Sequence, residues 1–280
     1  MGAILTIAIW GTTFISTKVL LRDFTPIEIL FFRFVMGYLA LCIVCPRRFK
    51  TTGLKQELMF AGAGLTGICL YYLLENVALT YTLASNVGVI VSIAPFFTAI
   101  LAHLFLPGER LKKYFFLGFL VSITGIILIS FSGGSVEISP TGDLLAISAS
   151  IVWAAYSILT KKISGFGYST LQATKRIFFY GLLFMISPLF FMDFALDLGR
   201  FTNTVYLMNI IYLGLGASAL CFVTWNFALR VLGAVKTSIY IYLVPVVTIV
   251  FSVLILNEPV TWKTAVGAGL TLAGLVISER

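Results

Sequence analysis

Residues 71–95 read YYLLENVALTYTLASNVGVIVSIAP, and residues 221–245 read CFVTWNFALRVLGAVKTSIYIYLVP. Each residue of the first stretch has its counterpart 150 positions later. Asn76, Ala78, Leu79 and Pro95 thus recur as Asn226, Ala228, Leu229 and Pro245. Both stretches are apolar enough to lie in lipid, and each holds a proline inside a run that otherwise reads as helix. The first also carries a carboxylate, Glu75. A duplicated, proline-broken apolar segment with one buried charge marks the place where a membrane protein handles a polar solute or an ion.

The composition agrees with a membrane setting. Of 280 residues, 60% are hydrophobic and 11% charged, and the mean hydropathy is +1.05. A soluble domain is about one quarter charged and covers its surface with those groups. Apolar runs of about twenty residues, each enough to cross about 30 Å of hydrocarbon, recur from end to end. They predict helices near residues 2–21, 26–45, 58–80, 85–106, 114–132, 144–163, 169–191, 205–230, 235–256 and 262–277. Thr25 before Pro26 suits a helix cap followed by a first-turn proline. Residues 1–21 lack the basic start and cleavage site of a signal peptide and read as the first span.

The net charge of +8 sits in short loops at span ends, where lipid headgroups account for it, so nucleic acid is not an expected partner. The cysteines Cys42, Cys45, Cys69 and Cys221 lie in or beside apolar runs, and no histidine or second pair completes a metal site. The single histidine, His103, falls near a span end, and no hydrolytic or metal-binding constellation can be assembled. GAGLTG (residues 62–67) fits a dinucleotide fingerprint by letter only, since no strand precedes it; close helix packing explains it.

The halves match beyond the opening stretch. Trp10, Lys18 and Arg33 recur 143 positions later as Trp153, Lys161 and Arg176, and Glu109, Gly118 and Gly125 recur 149 positions later as Glu258, Gly267 and Gly274. The expected fold is therefore an all-α membrane protein of ten transmembrane helices, arranged as two five-helix repeats. Residues 1–132 form the first repeat, 133–143 a Gly/Ser-rich linker and 144–280 the second. Five is odd, so the second repeat inserts upside down. With the N-terminus inside, Arg47, Arg48, Lys50, Lys55, Arg110, Lys112, Lys113, Lys161, Lys162, Arg230 and Lys236 fall on the cytoplasmic side. Only Arg22, Arg200 and Lys263 fall outside, beside Glu137, Asp143, Asp193, Asp197 and Glu258. That asymmetry puts both termini in the cytoplasm of a multi-pass plasma-membrane protein, the inner membrane in a bacterium.

The ordered set in duplicate (Trp in the first helix, Arg in the second, Asn-x-Ala-Leu ending the third, Pro in the fourth, Glu before the fifth) resembles the EamA-type transporters of the drug/metabolite transporter superfamily. The resemblance covers essentially the whole chain. It implies a proton-linked or exchange carrier without cofactor, commonly an exporter of amino acids or other small metabolites. It also implies a central cavity lined by helices one, three, four, six, eight and nine, with the helix-two arginine a scaffold residue.

Within that frame Glu75 is the acidic residue well inside a span, and it suits proton coupling or capture of a substrate ammonium. An ion pair with Arg33 or Lys18 is the alternative. Tyr71, one turn earlier, and Tyr72 offer a phenol or a π-face. Trp10, Trp153, Tyr156 and Tyr240 read as cavity walls, with helix packing as the alternative. Asn76 and Trp225, the latter at the Glu75-equivalent position, complete the candidate substrate set. Pro95 and Pro245 are candidate hinges that free the carbonyls of Val91 and Ile241. Arg33 and Arg176 read as structural, with Lys175 reaching the cytoplasmic surface. The small-residue faces of helices five and ten either seal the bundle or form a homodimer contact. The leading expectation is alternating-access export of amino acids or similar zwitterionic or cationic metabolites. Uptake of a quaternary amine, or translocation of a nucleotide sugar or lipid phosphate, are the alternatives.

Overall fold

The computed structural model describes residues 2–47, 53–82, 84–108, 113–130, 139–256 and 262–279, and every element among them is helical. Glu109, Glu137, Glu258 and the loop cations Arg48, Lys50, Arg110 and Lys112 lie outside the described residues. Helix α1 (Gly2–Leu20) leads through a tight turn to α2 (Pro26–Val44). Thr25 caps α2 as expected, and the cap is reciprocal: its side chain accepts from the Glu28 amide, while Glu28 Oε2 accepts from the Thr25 amide at 2.8 Å. Next come α3 (Leu54–Gly64), a π-helical stretch Leu65–Leu70, and α4 (Tyr71–Tyr81), joined into one apolar span of 28 residues.

The fourth predicted helix is split into α5 (Ala84–Val91) and α6 (Ala94–Phe105), and α7 (Lys113–Ser130) follows. Then come α8 (Pro140–Ser164) and α9 (Thr170–Phe191). The second half repeats the irregularities of the first. Helix α10 (Thr204–Ile211), a π stretch Tyr212–Leu220 and α11 (Cys221–Leu232) form one span of 29 residues. Helix α12 (Ala234–Ile239), a 3₁₀ turn Tyr240–Tyr242 and α13 (Leu243–Leu256) follow, with α14 (Trp262–Glu279) last.

Among the described residues six helices are long and apolar enough to cross a membrane, and four shorter apolar helices accompany them, Ala94–Phe105, Lys113–Leu128, Ala234–Val247 and Ala265–Ser278. Two of the short ones border the breaks beside Pro95 and Pro245. Proline has no amide to give the carbonyl one turn back, so the helix changes course there. One boundary differs from the sequence reading. Residues 140–143, assigned to the linker, are the first turn of α8, because Ser139 accepts from the Gly142 amide and Pro140 suits a first helical position.

Packing follows lipid rules. Large apolar side chains such as Ile43, Leu120 and Phe190 face outward, while Thr6, Arg33, Glu75, Asn76, Thr98 and Asn226 are buried. Gly118, Ser122 and Gly125 of α7 meet Gly267, Thr271 and Gly274 of α14, with Ser122 Oγ donating to the Thr271 carbonyl at 3.3 Å. Those small faces are taken up within the chain, so a second copy would have to dock on the outer faces of α7 and α14.

Polar ties gather at the two ends of the bundle. At one end Lys175 donates to the carbonyls of Cys45 and Arg47, Arg176 pairs with Glu57, and Lys161 Nζ donates to the Arg230 carbonyl at 3.1 Å. At the other end Arg200 pairs with Glu28, Thr25 Oγ1 donates to the Asp193 carbonyl, and Lys18 Nζ donates to the carbonyls of Leu79 (2.5 Å) and Thr82 (3.1 Å). Lys18 thereby closes the last turn of α4 and is not the partner of Glu75.

Candidate substrate cavity

Three irregular stretches converge on one small cavity. The π segment ahead of α4 widens the helix by one residue per turn, which re-aims Tyr71, Tyr72 and Glu75 relative to a regular helix. The break between α5 and α6 brings Val91 and Ser92 to the same place, and the 3₁₀ turn ahead of α13 brings Ile241 and Val244. Val91 and Ile241 are the residues one turn before the paired prolines. With Trp10, Thr13 and Phe14 of α1, Gly88 of α5 and Trp153 of α8, these groups enclose about 30 Å³, room for little more than one water molecule.

The walls are mostly aromatic. Trp10 stands edge-on to Trp153 at 5.2 Å, Tyr71 lies 4.8 Å from Trp153, and Tyr71 and Tyr72 are 4.7 Å apart. Glu75 is 3% exposed, and the Tyr71 hydroxyl bonds to its carboxylate. Arg33 is near enough to act on Glu75 through space, yet no ion pair joins them among the described residues. Trp10 Nε1 donates to the Ala217 carbonyl at 2.9 Å, and Thr6 Oγ1 and Thr224 Oγ1 are 2.6 Å apart, so α1 is stitched to the second-half helix at two levels.

Of the candidates read from the sequence, Trp10, Tyr71, Tyr72, Glu75 and Trp153 meet at the cavity. The other four stand behind it. Asn76 Nδ2 donates to the Pro26 carbonyl at 3.2 Å and ties α4 to the start of α2. Tyr156 donates to Asn226 Oδ1 at 2.6 Å, and Asn226 Nδ2 donates to Thr174 Oγ1 at 3.0 Å, so Tyr156 serves a buried network linking α8, α11 and α9. Trp225 packs 5.1 Å from Trp10 without reaching the cavity, and Tyr240 is half-buried in the 3₁₀ turn. The sequence reading missed Thr13, Phe14, Gly88, Ser92 and Val244, and also Phe222. That ring touches Trp10, Trp153, Tyr72 and Tyr156 at 5.8–6.0 Å and backs the whole wall. All four cysteines are free; Cys69 and Cys221 are buried and serve as small apolar fillers.

Among the described residues the chain is an all-helical bundle with large apolar side chains outward and buried polar and aromatic groups around a central cavity, an architecture that suits a membrane carrier. Comparison with known proteins agrees. The EamA-like transporter family matches residues 1–131 and again residues 140–279, and the chain belongs to that family. Its relatives include an "Uncharacterized transporter" of Archaeoglobus fulgidus, 28% identical over 98% of this chain and 94% of that one. A "Probable terminal-alkyne amino-acid exporter" of Streptantibioticus cattleyicolor is 27% identical over 99% and 92%. A "Probable amino-acid metabolite efflux pump" of Escherichia coli is 26% identical over 99% and 93%. A crystal structure at 18% identity superposes with a TM-score of 0.78 over 99% of this chain and 96% of the other, a likeness of fold.

Proposed function

We propose that the protein exports amino acids or similar small zwitterionic or cationic metabolites by alternating access, with Glu75 as the group that binds the substrate ammonium or exchanges a proton. The observation that carries this reading is the Glu75 carboxylate itself. It is buried inside an apolar bundle, lines a small cavity and has no cationic partner bonded to it among the described residues. A carboxylate at that depth costs a few kcal/mol on insertion scales, and a purely structural site would be served as well by a hydrophobe. The aromatic walls suit the apolar part of such a substrate and the face of an ammonium. Two relatives carry amino-acid export in their names.

The remaining architecture belongs to the same proposal. Ten crossings in two inverted repeats place the cavity at the repeat interface near the bilayer midplane. The loop cations orient both termini to the cytoplasm of the plasma membrane, and Pro95 and Pro245 act as paired hinges.

The test is uptake of labelled amino acids and amines into proteoliposomes, with and without an imposed pH gradient. Glu75→Gln keeps size and hydrogen-bonding but removes the charge. It is expected to lower transport at least about 10-fold, the loss of one charged hydrogen bond, and to abolish any response to the gradient. Unchanged rate and unchanged gradient response in Glu75→Gln sink the assignment.

A further inference from the structure

The buried centre of the bundle has donors left over. Arg33 is fully buried, and its Nε donates to Ser218 Oγ at 3.0 Å, but Nη1 and Nη2 have no hydrogen-bond partner among the described residues. Its guanidinium lies 4.3 Å from the centre of the Tyr72 ring and 5.2 Å from that of Phe34. The indole Nε1 groups of Trp153 and Trp225, 6.1 Å apart ring to ring, are likewise buried and without an acceptor. Tyr72 and Trp153 are cavity walls. These unmet donors therefore lie in or next to the lining, with the Arg33 guanidinium against the face of Tyr72.

Guanidinium cannot shed its proton under physiological conditions, and its planar fork is shaped for an oxyanion. An arginine with a structural role normally has that fork filled. Arg200 shows the contrast: its two Nη atoms reach both Glu28 oxygens and the carbonyls of Asp23 and Ala195. Arg176 is likewise paired with Glu57. Stacking on Tyr72 and Phe34 recovers part of the lost hydration of Arg33, but ring faces leave the in-plane N–H groups unmet. Unmet buried donors of this kind call for a missing acceptor.

We infer that Arg33 is the carboxylate anchor of the transport site, making that site two-ended and selective for zwitterionic α-amino acids with an apolar side chain. The inference rests on the reading of Glu75 as the ammonium end. The two protein charges are opposite, so a ligand carrying one of each sign is matched, whereas a simple amine leaves the cation unpaired and adds a like charge near it. The cavity must enlarge to admit any amino acid. Turning Tyr72 aside both enlarges it and uncovers the Nη fork, with the Trp153 indole N–H as a further donor to the same carboxylate. Trp10, Phe14 and Tyr71 are left to cover the side chain.

The experiment is binding to the full-length protein in lipid nanodiscs, followed by intrinsic fluorescence, to which Trp10 and Trp153 contribute from the site itself. The probes are phenylalanine, its methyl ester and phenethylamine, with leucine and isoamylamine as a second pair. The wild type is expected to bind each amino acid about 10- to 100-fold more tightly than the probe lacking the carboxylate, the range of one charged hydrogen-bonded contact. Arg33→Gln is expected to erase that ratio by weakening the amino acids without weakening phenethylamine, from which it removes a like charge. Failure of both amino acids to bind, absence of the ratio in the wild type, or equal weakening of all probes by Arg33→Gln overturns the inference. The analogue comparison decides on wild-type protein alone if the variant does not fold. Glu75→Gln separates the two readings: it should weaken every amine-bearing probe but preserve the ratio. An unaffected Glu75→Gln beside a ratio-erasing Arg33→Gln removes the ammonium assignment and leaves the carboxylate anchor standing.

Discussion

Asn76 and Asn226 occupy matching positions in the two copies, yet they do different work. Asn76 ties a helix end to the Pro26 carbonyl. Asn226 bridges the Tyr156 hydroxyl and Thr174 Oγ1 inside the protein, using its amide oxygen for one and its nitrogen for the other. Removing that amide takes the acceptor from the buried Tyr156 phenol, at about 1–3 kcal/mol for an unsatisfied group, while Thr174 Oγ1 keeps its bond to the Thr170 carbonyl. Asn226→Ala should therefore lower stability by about 2–4 kcal/mol, read as thermal unfolding in detergent. Tyr156→Phe, which removes one donor and keeps the ring against Trp153, should cost about 1 kcal/mol. Equal stability of Asn226→Ala and the wild type would show that the network contributes nothing. This pairing joins residues 70 positions apart, and no local pattern announces it. The sequence reading could find Tyr156 as polar and deeply placed, but it could not tell a cavity wall from a strut.

Among elements, the paired π stretches are the feature that aims the site. Leu65–Leu70 precedes Tyr71, and Tyr212–Leu220 precedes Cys221, at matching places in the two halves. Their glycines let neighbours approach closely. A Cβ on Gly67 would run into the Tyr156 ring, and one on Gly64, the last residue of α3 just ahead of the first stretch, into the backbone of Gly181. The Tyr156 ring cannot step aside cheaply, because Asn226 holds its hydroxyl. Gly67→Ala should cost about 1–3 kcal/mol through overpacking, whereas Gly216→Ala, whose nearest neighbour is a Tyr212 ring atom at 3.6 Å, should be near neutral. Thermal unfolding of the two variants side by side checks this, and equal effects would mean that tight packing at Gly67 is not what holds the segment. Helix existence was legible because lipid forces apolar runs of fixed length, and the α2 start because Thr-Pro has local capping chemistry. The π register was not, since it is chosen by packing against other helices. Phe222 was invisible for a related reason: in a run where nearly every residue is apolar, hydrophobic periodicity cannot distinguish the inward face from the lipid face. Side chains with a polar atom stand out there, which is why Glu75 and the Trp and Tyr rings around it could be picked out and the phenylalanines Phe14 and Phe222 could not.

At the scale of the molecule, ties between the two halves stand at both ends of the bundle. At one end Arg200 of the second half grips Glu28 with two bonds of 2.9 Å, and the Ala195 amide donates to the same carboxylate at 2.9 Å. The Glu28 bonds push the Arg200 guanidinium above its already high pKa, so its charge persists at any physiological pH. The Phe24 ring, 4.2 Å from that guanidinium, covers it. At the opposite end Glu57 holds Arg176 and Tyr180. Alternating access requires one end to open while the other stays tied, so weakening a single tie should bias the chain toward opening at that end. A loss of about 1.4 kcal/mol shifts such an equilibrium about tenfold. The readout is a cysteine placed at Ser92, a cavity residue, in a background with the four native cysteines replaced. Arg200→Ala should raise its labelling by a membrane-impermeant thiol reagent about tenfold from the Glu28 side only, and Glu57→Gln should do so from the opposite side only. Labelling that rises from both sides in either variant would mean that the ties hold the fold together and do not gate the cavity.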